Sequence, residues 1–341
     1  MTVLPLRPAV AEPGLAETGL STHRTLSRRL VHRAALAEVF LTDFRSVDET
    51  AFHAAAQLPP RHFYYSDHTV RVAMHDPLAV FESVRQMLLC AMHLHHDASP
   101  ETKSITATAS LEITDPEPLR RAGALDLTLL GSVLLEKKYE GATSRVVHRV
   151  RVLADGREAG VITVDTAQRP NDVYERLRTS HRTTPPPMSD TLPATGTGAI
   201  PPVWLVGRER AENVVVQDAR TQGDALLAEV RVPAAHPSMF DHAQDHVPGP
   251  VMMEAARQTS LLLAADHEGL SPSSFHLGYV SAEYLRFAEL DAPITVVTRR
   301  MPEPVDGGRW SEVSFEQDGA TVARMRVRLA RALPSGGDDA L

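Results

Sequence analysis

The chain has 341 residues, with 35 Lys and Arg against 43 Asp and Glu, and a formal net charge of −8. This length is typical of two domains, and the acidic balance argues against binding to nucleic acid or to an anionic membrane, because both need clustered basic residues. A single cysteine, Cys90, excludes an internal disulfide and argues against a thiolate metal cluster. No apolar run has the length of a signal peptide core or a membrane span, so we expect a cytoplasmic protein.

Composition divides the chain into two blocks. Residues 1–27 are predicted to form a flexible tail, and residues 333–341 form a second one. Residues 176–202, rich in Pro, Thr and Gly and without periodicity, are predicted to be a linker. The blocks between them, 28–175 and 203–332, are each expected to be one domain.

The two blocks repeat each other. The sequence ESVRQ at 82–86 corresponds to EAARQ at 254–258, and an Asp-His pair at 67–68 corresponds to one at 241–242. The two correspondences have nearly the same spacing, which indicates a duplicated domain.

Both blocks show the same order of predicted elements. A short β-rich segment (VFLTDF; NVVVQDA) precedes a polar, histidine-containing loop, and one long apolar helix follows (PLAVFESVRQMLLCAMHLH; GPVMMEAARQTSLLLAADH). The remainder alternates apolar and polar residues, as strands with one buried face do. Asp-Gly pairs at 155–156 and 318–319 stand between such runs and predict hairpin turns.

One helix and five or six antiparallel strands per block predict an α+β fold in which a curved sheet wraps around the helix. Enclosure by the sheet explains why each helix is apolar on almost every side. We expect the two sheets to pair edge to edge into one larger sheet, which removes exposed edges.

Each predicted helix carries two opposite charges three residues apart, Glu82 with Arg85 and Glu254 with Arg257. This spacing places both side chains on one face of a helix. The ordinary interpretation is an ion pair on the solvent-exposed side of the helix, which contributes little to the stability of the fold. Recurrence in both blocks, on helices that are otherwise apolar, favours a functional role instead.

Other polar residues precede the helices. The Gly249 amide follows Pro248 at a helix start, where a free N–H group can bind a carbonyl oxygen or an oxyanion. Histidines are frequent in the same loops, and most are predicted to form loop hydrogen bonds. Their spacing does not match that of a zinc site, so we expect no metal.

Residues 236–258 (HPSMFDHAQDHVPGPVMMEAARQ) resemble the signature of the A-factor biosynthesis (γ-butyrolactone synthase) family of actinomycetes, and residues 31–44 (VHRAALAEVFLTDF) resemble its other characteristic stretch. The resemblance covers residues 28–332. It implies a tandem double hotdog, since the family consists of paired hotdog domains.

The chain is also distantly similar to β-hydroxyacyl carrier-protein dehydratases, in which a loop His and a helix Glu face each other across a domain pair. His68 precedes Glu82 at the spacing expected there, whereas the interval from His242 to Glu254 is two residues shorter. The first block also lacks the Pro-Gly pair. These departures argue against dehydration and leave the two half-sites unequal.

The family resemblance implies acyl transfer from an acyl carrier protein to the hydroxyl of dihydroxyacetone phosphate or a similar C3 phosphate, giving the precursor of a butyrolactone, butenolide or furan signal. Phosphopantetheine would arrive as part of the acyl-carrier-protein substrate, so no separate cofactor is expected. The protein is expected to be a monomer or a homodimer. Burial would raise the pKa of a helix Glu towards neutrality. We therefore expect Glu254 to act as base, Arg257 as phosphate clamp and Glu82 as second acid/base. The expected substrate-binding residues are Gly249, His242, His246, His68 and Arg85.

Two alternatives remain open. One is a hotdog thioesterase or dehydratase acting on acyl-carrier-protein substrates, which would need no phosphate acceptor. The other is a ligand-sensing regulator, which is disfavoured because the chain is acidic and has no helix-turn-helix pattern with a basic face.

Overall fold

A computed structural model describes residues 18–99, 101–180, 182–192, 196–302 and 308–332. The first block contains β1 (Leu41–Ser46), β2 (Ala51–Leu58), α1 (Pro77–Leu94), β3 (Lys103–Ile113), β4 (Leu125–Tyr139), β5 (Ala142–Ala154) and β6 (Arg157–Arg169). A short helix, α2 (Asn171–Thr179), leads to the second block. That block contains β7 (Val216–Gln222), β8 (Ala225–Val230), α3 (Gly249–Glu268), β9 (Phe275–Tyr284), β10 (Thr295–Arg300), β11 (Arg309–Gln317) and β12 (Ala320–Arg331).

The strands form one antiparallel sheet in the order β1-β2-β4-β5-β6-β3-β9-β12-β11-β10-β8-β7. The second half of this order repeats the first in reverse, as expected for two copies of one domain. Strands β3 and β9 pair in the middle, from Thr108 opposite Glu283 to Glu112 opposite Tyr279. The predicted tandem double hotdog and its edge-to-edge pairing are therefore confirmed.

The two long helices lie against this sheet and bury residues on nearly every side. Helix α1 begins after Asp76, whose carboxylate accepts a hydrogen bond from the Leu78 amide at 2.9 Å. Helix α3 begins after Pro248, which has no side-chain cap, and ends at Gly269 in the left-handed conformation that favours glycine. Both helices have the extent that the sequence predicts.

Strands β2 and β8 lie in segments that were expected to be loops. Their sequences, AFHAAAQL and ALLAEV, are rich in alanine, which has little preference for strands. Pairing with a neighbour on each side determines their conformation. The predicted hairpin turns are confirmed, since both residues of each Asp-Gly pair have positive φ angles.

Helix α2 crosses the predicted boundary between the first block and the linker. Arg178, within the predicted linker, is buried and donates hydrogen bonds to Asp245 at 2.9 Å and to Glu289 at 2.7 Å. These ion pairs hold this part of the linker against the second block.

Part of the predicted N-terminal tail also packs on the domain. Leu20 is buried, and the Leu26 amide donates a hydrogen bond to the Leu41 carbonyl at 2.9 Å. Residues 1–17 and the predicted tail at 333–341 lie outside the described residues. None of the described helices combines the length and apolar character needed to cross a membrane.

Candidate active site

Glu254 lies in the first turns of α3 and is fully buried within a polar network. Its Oε1 accepts hydrogen bonds from Arg208 Nε at 2.9 Å and from Gln258 Nε2 at 2.5 Å. Its Oε2 accepts from Arg257 Nε at 2.9 Å and from the Tyr64 hydroxyl at 3.0 Å. Both carboxylate oxygens are thus saturated by protein donors, which is the arrangement of a structural anion rather than of a base waiting for a proton.

Arg208 connects this network to the first block. Its Nη1 donates to the backbone carbonyl of Tyr64 at 2.9 Å and to that of Asp67 at 2.5 Å. The loop that carries Tyr64 is thereby fixed against α3. Sequence reasoning missed both residues, although the sequences VHR at 31–33 and VGR at 206–208 form a repeat that points to Arg208.

Arg257 has two carboxylate partners. Besides Glu254, it binds Asp76 of the other block, with Nη1 at 2.7 Å from Asp76 Oδ1. Burial alone would lower the pKa of Arg257, but Asp76 and Glu254 raise it above its ordinary value. Arg257 is therefore permanently charged and already neutralised, which argues against the expected role of phosphate clamp.

A narrow pocket with a cavity volume of about 20 Å³ opens between the blocks beside Arg257. His68 and Asp76 from the first block line it together with Arg257 and His276 from the second. Its apolar wall consists of Val70, Met74, Leu261, Phe275, Leu277 and Leu329. Glu254 is not part of the lining, because Arg257 lies between it and the pocket.

Four polar atoms around this pocket are buried and have no hydrogen-bond partner among the described residues. They are His68 Nδ1, Thr69 Oγ1, Asp76 Oδ2 and His276 Nδ1. Buried polar atoms are nearly always paired in folded proteins. Their concentration around one pocket indicates a site for a ligand that has both polar groups and an apolar part. Asp76, Thr69 and His276 were not predicted as site residues.

His68 is placed to act as a base. Its Nε2 lies 3.0 Å from the Met74 carbonyl oxygen, which only accepts, so Nε2 carries the hydrogen and Nδ1 has a free lone pair. Burial lowers the pKa of His68, and the neighbouring Asp76 offsets only part of that effect. The imidazole is therefore neutral at pH 7 with Nδ1 available in the pocket.

Residues 16–168 and 193–331 match the model of the A-factor biosynthesis hotdog domain. The chain belongs to this family.

Relatives within the family share one name, 2-oxo-3-(phosphooxy)propyl 3-oxoalkanoate synthase. The synthase of Streptomyces virginiae is 31% identical over 318 residues, covering 87% of this chain and 95% of the relative. That of Streptomyces coelicolor is 27% identical over 295 residues, covering 86% and 88%. That of Streptomyces griseus is 28% identical over 300 residues, covering 86% and 91%.

In this A-factor biosynthesis protein the first block has its own buried glutamate, Glu82 on α1. It accepts hydrogen bonds from Arg33 Nε at 3.1 Å, Arg85 Nε at 2.8 Å and Gln86 Nε2 at 2.7 Å. Burial alone would raise the pKa of Glu82, but Arg33 and Arg85 outweigh it and lower the pKa to about 2. This direction is the opposite of the expected one, so Glu82 stays ionised and cannot donate a proton at neutral pH.

The Glu82 network predicts a specific dependence of stability on pH. Because its folded pKa is depressed from 4.5 to about 2, Glu82 contributes about 3 kcal/mol above pH 4.5, and this contribution is lost as pH falls through 2. Urea unfolding of Glu82→Gln should show a lower free energy of unfolding at pH 6 and a flatter pH dependence below 4.5. The exposed Glu312→Gln serves as control, and an unchanged pH slope in Glu82→Gln would contradict the ion-pair assignment.

The remaining predicted residues lie outside the pocket lining. His242 Nδ1 is 2.5 Å from Asp241 Oδ1, and its side chain is exposed. His246 Nδ1 is 2.6 Å from Asp245 Oδ1. The structure therefore brings His68 to the pocket but not these two histidines.

Gly249 is required for packing against a tyrosine. A Cβ atom at this position would lie 2.6 Å from the Tyr284 hydroxyl, so any other residue would displace the ring. The expected binding of a thioester carbonyl at the Gly249 amide is not supported, because Gly249 does not line the pocket. Arg85, also predicted to bind substrate, binds Glu82 and lies in the other half-site.

Proposed function

We propose that the protein is a 2-oxo-3-(phosphooxy)propyl 3-oxoalkanoate synthase, an acyltransferase. The relatives' name describes an ester between a 3-oxoalkanoic acid and a three-carbon phosphate alcohol, which is dihydroxyacetone phosphate. The observation that carries the proposal is the pocket itself, where an apolar wall meets a neutral His68 with an unpartnered Nδ1. The apolar wall can bind the acyl chain of a thioester substrate, and His68 can accept the proton of the attacking hydroxyl group.

The reaction forms one C–O bond and breaks one C–S bond. His68 Nδ1 accepts the proton of the acceptor hydroxyl while its oxygen attacks the thioester carbonyl carbon. The tetrahedral intermediate collapses, and the phosphopantetheine sulfur leaves with the proton returned by His68. The acyl carrier protein is released as the free thiol.

The other polar groups of the pocket assist this step. The unpartnered Asp76 Oδ2 accepts a hydrogen bond from the acceptor and orients it, while Asp76 Oδ1 remains bound to Arg257. The Arg257 guanidinium borders the pocket and holds the Asp76 carboxylate in position through its Nη1. Glu254 supports the reaction indirectly, by holding Arg257 in place.

The proposed partners are an acyl carrier protein and the phosphate acceptor, in the cytoplasm. The transfer needs no separate cofactor, since the pantetheine arrives on the carrier protein. Both blocks contribute to the pocket, His68 from one and Arg257 from the other, so one chain is sufficient to form the site.

Product analysis tests this function. The purified protein would be incubated with a β-ketoacyl thioester, with and without dihydroxyacetone phosphate, and the products followed by mass spectrometry. We expect a phosphorylated ester that forms only in the presence of the acceptor. Free 3-oxo acid or an enoyl product formed equally without acceptor would instead indicate a thioesterase or dehydratase.

A further inference from the structure

Because the two blocks repeat each other, the region around Arg85 corresponds to the pocket around Arg257, and we call it the second half-site. It differs from the pocket at several corresponding positions. Arg33 and Arg208 are equivalent, because each binds the helix glutamate of its own block. The preceding residues are His32 and Gly207, and both have a left-handed backbone, with φ of 49° and 71°. This conformation favours glycine, and histidine is among the few other residue types that adopt it. The second half-site thus carries an imidazole where the pocket has no side chain.

Two further differences make the second half-site more positively charged than the pocket. The equivalent strands β9 and β3 begin with Phe275, which lines the pocket, and with Lys103, which is exposed. The helix N-caps are Asp76 for α1 and Pro248 for α3. The second half-site therefore has a lysine where the pocket has Phe275, and it lacks the carboxylate that faces Arg257.

Because that carboxylate is absent, the positive charge of Arg85 is balanced by fewer carboxylates than that of Arg257. Arg85 binds only Glu82, through Nε at 2.8 Å and Nη2 at 3.1 Å, and its Nη1 has no hydrogen-bond partner in the part of the chain that the structure describes. Its side chain is 31% exposed, against 9% for Arg257. Glu82 in turn shares its charge with Arg33.

The surroundings of His32 are correspondingly cationic. Its Nε2 lies 2.9 Å from His93 Nε2. Burial first, and then the neighbouring basic groups of His93, Arg85, His242 and Lys103, lower the pKa of His32 to about 4. His32 is therefore neutral at pH 7 and serves as a hydrogen-bonding group rather than as a charge. The nearby carboxylates of Glu82 and Asp241 are both bound to Arg33; Glu82 also binds Arg85, and Asp241 also binds His242. This environment favours an anion.

We propose that the cationic half-site, formed by His32, Arg85, Lys103 and His242, binds a phosphate group. Arg85 supplies a partly exposed guanidinium, the side chain best suited to phosphate oxygens. The choice of phosphate rests on the proposed function, whose substrates carry two such groups. The acceptor is a phosphomonoester, and the phosphopantetheine arm contains a phosphodiester.

Isothermal titration calorimetry on the full chain, without acyl donor, tests this site. The probes are inorganic phosphate, dihydroxyacetone phosphate and 4′-phosphopantetheine attached to its carrier protein. We expect Arg85→Gln combined with Lys103→Gln to weaken binding of the preferred probe at least about tenfold, while the exposed Lys137→Gln binds like wild type. Tighter binding of dihydroxyacetone phosphate identifies the acceptor as the source, and tighter binding of the loaded carrier protein identifies the pantetheine arm.

His32→Gly provides a second variant that preserves the fold, because the backbone at position 32 suits glycine. It should also weaken binding, and its circular dichroism spectrum should match wild type. Equal affinities of wild type and all these variants for every probe would overturn the proposal. This experiment does not measure acyl transfer, so it tests the phosphate site separately from the proposed function. If the protein formed no ester but the variants still weakened phosphate binding, the site would stand. If the protein formed the ester but the variants bound phosphate like wild type, only the site would be excluded.

Discussion

Replacing His68 with glutamine is expected to lower kcat for acyl transfer by about 10² to 10⁴-fold, the usual contribution of a general base. KM for the thioester should change little, because the acyl chain contacts the apolar wall rather than the imidazole. Glutamine retains a donor for the Met74 carbonyl, so the loop should keep its position. Steady-state kinetics of product formation measure the effect.

The control for this variant is His267→Gln, at an exposed position in the last turn of α3. The pH dependence gives a second readout. Since burial lowers the pKa of His68 below its ordinary value of 6.5, the reactive neutral form persists as pH falls through 6.5, and the rate should decline only at lower pH. Wild-type kcat in His68→Gln, or a rate that already halves near pH 6.5 or above, would exclude His68 as the base.

Glu254→Gln is expected to reduce the free energy of unfolding by about 3–5 kcal/mol, because removing one partner of a buried ion pair leaves an uncompensated charge. Arg208 and Arg257 both lose their shared carboxylate, and their side chains are only 1% and 9% exposed. Urea unfolding measures the loss. A base at this position would behave differently, since an isosteric amide would abolish activity and leave stability nearly unchanged.

A double-mutant cycle separates these interpretations further. Glu254→Gln combined with Arg208→Gln should recover part of the lost stability, because the second change removes the cation that loses its carboxylate, whereas Arg257 still binds Asp76. The exposed Glu283→Gln on β9 is the matched control. Additive losses in the double variant, or full stability in Glu254→Gln alone, would contradict the role of Glu254 as a structural anion.

The fold could be predicted from local patterns because the buried faces determine them. Alternation in β5 and β12, the all-round apolar helices and the duplicated sequence indicated two copies of a sheet wrapped around a helix, and the family resemblance implied that these are paired hotdog domains. Strands β2 and β8 could not be predicted, because alanine-rich sequence has no strong local preference and only pairing with neighbouring strands fixes it.

The site was predictable only in part, because it is formed by contacts between residues distant in sequence. The spacing that singled out His68 led to a residue that lines the pocket. Asp76 was recognised only as a departure from the Pro-Gly pattern, since it meets Arg257 across 181 positions of the chain. For Glu254 the sequence indicates a buried charge but not the Arg208 and Tyr64 donors that satisfy it, so its hydrogen-bond network could not be predicted.

A crystal structure with an unreactive amide analogue of a 3-oxoacyl phosphopantetheine, in which nitrogen replaces the thioester sulfur and the carbonyl is kept, would test the location of the chemistry most directly. We expect the acyl chain against Leu261 and Leu277, with the carbonyl carbon within about 5 Å of His68 Nδ1, a separation that accommodates an attacking hydroxyl between them. An analogue whose carbonyl instead lies against Arg85 and His242, with the pocket beside His68 empty, would contradict the assignment of the reacting site.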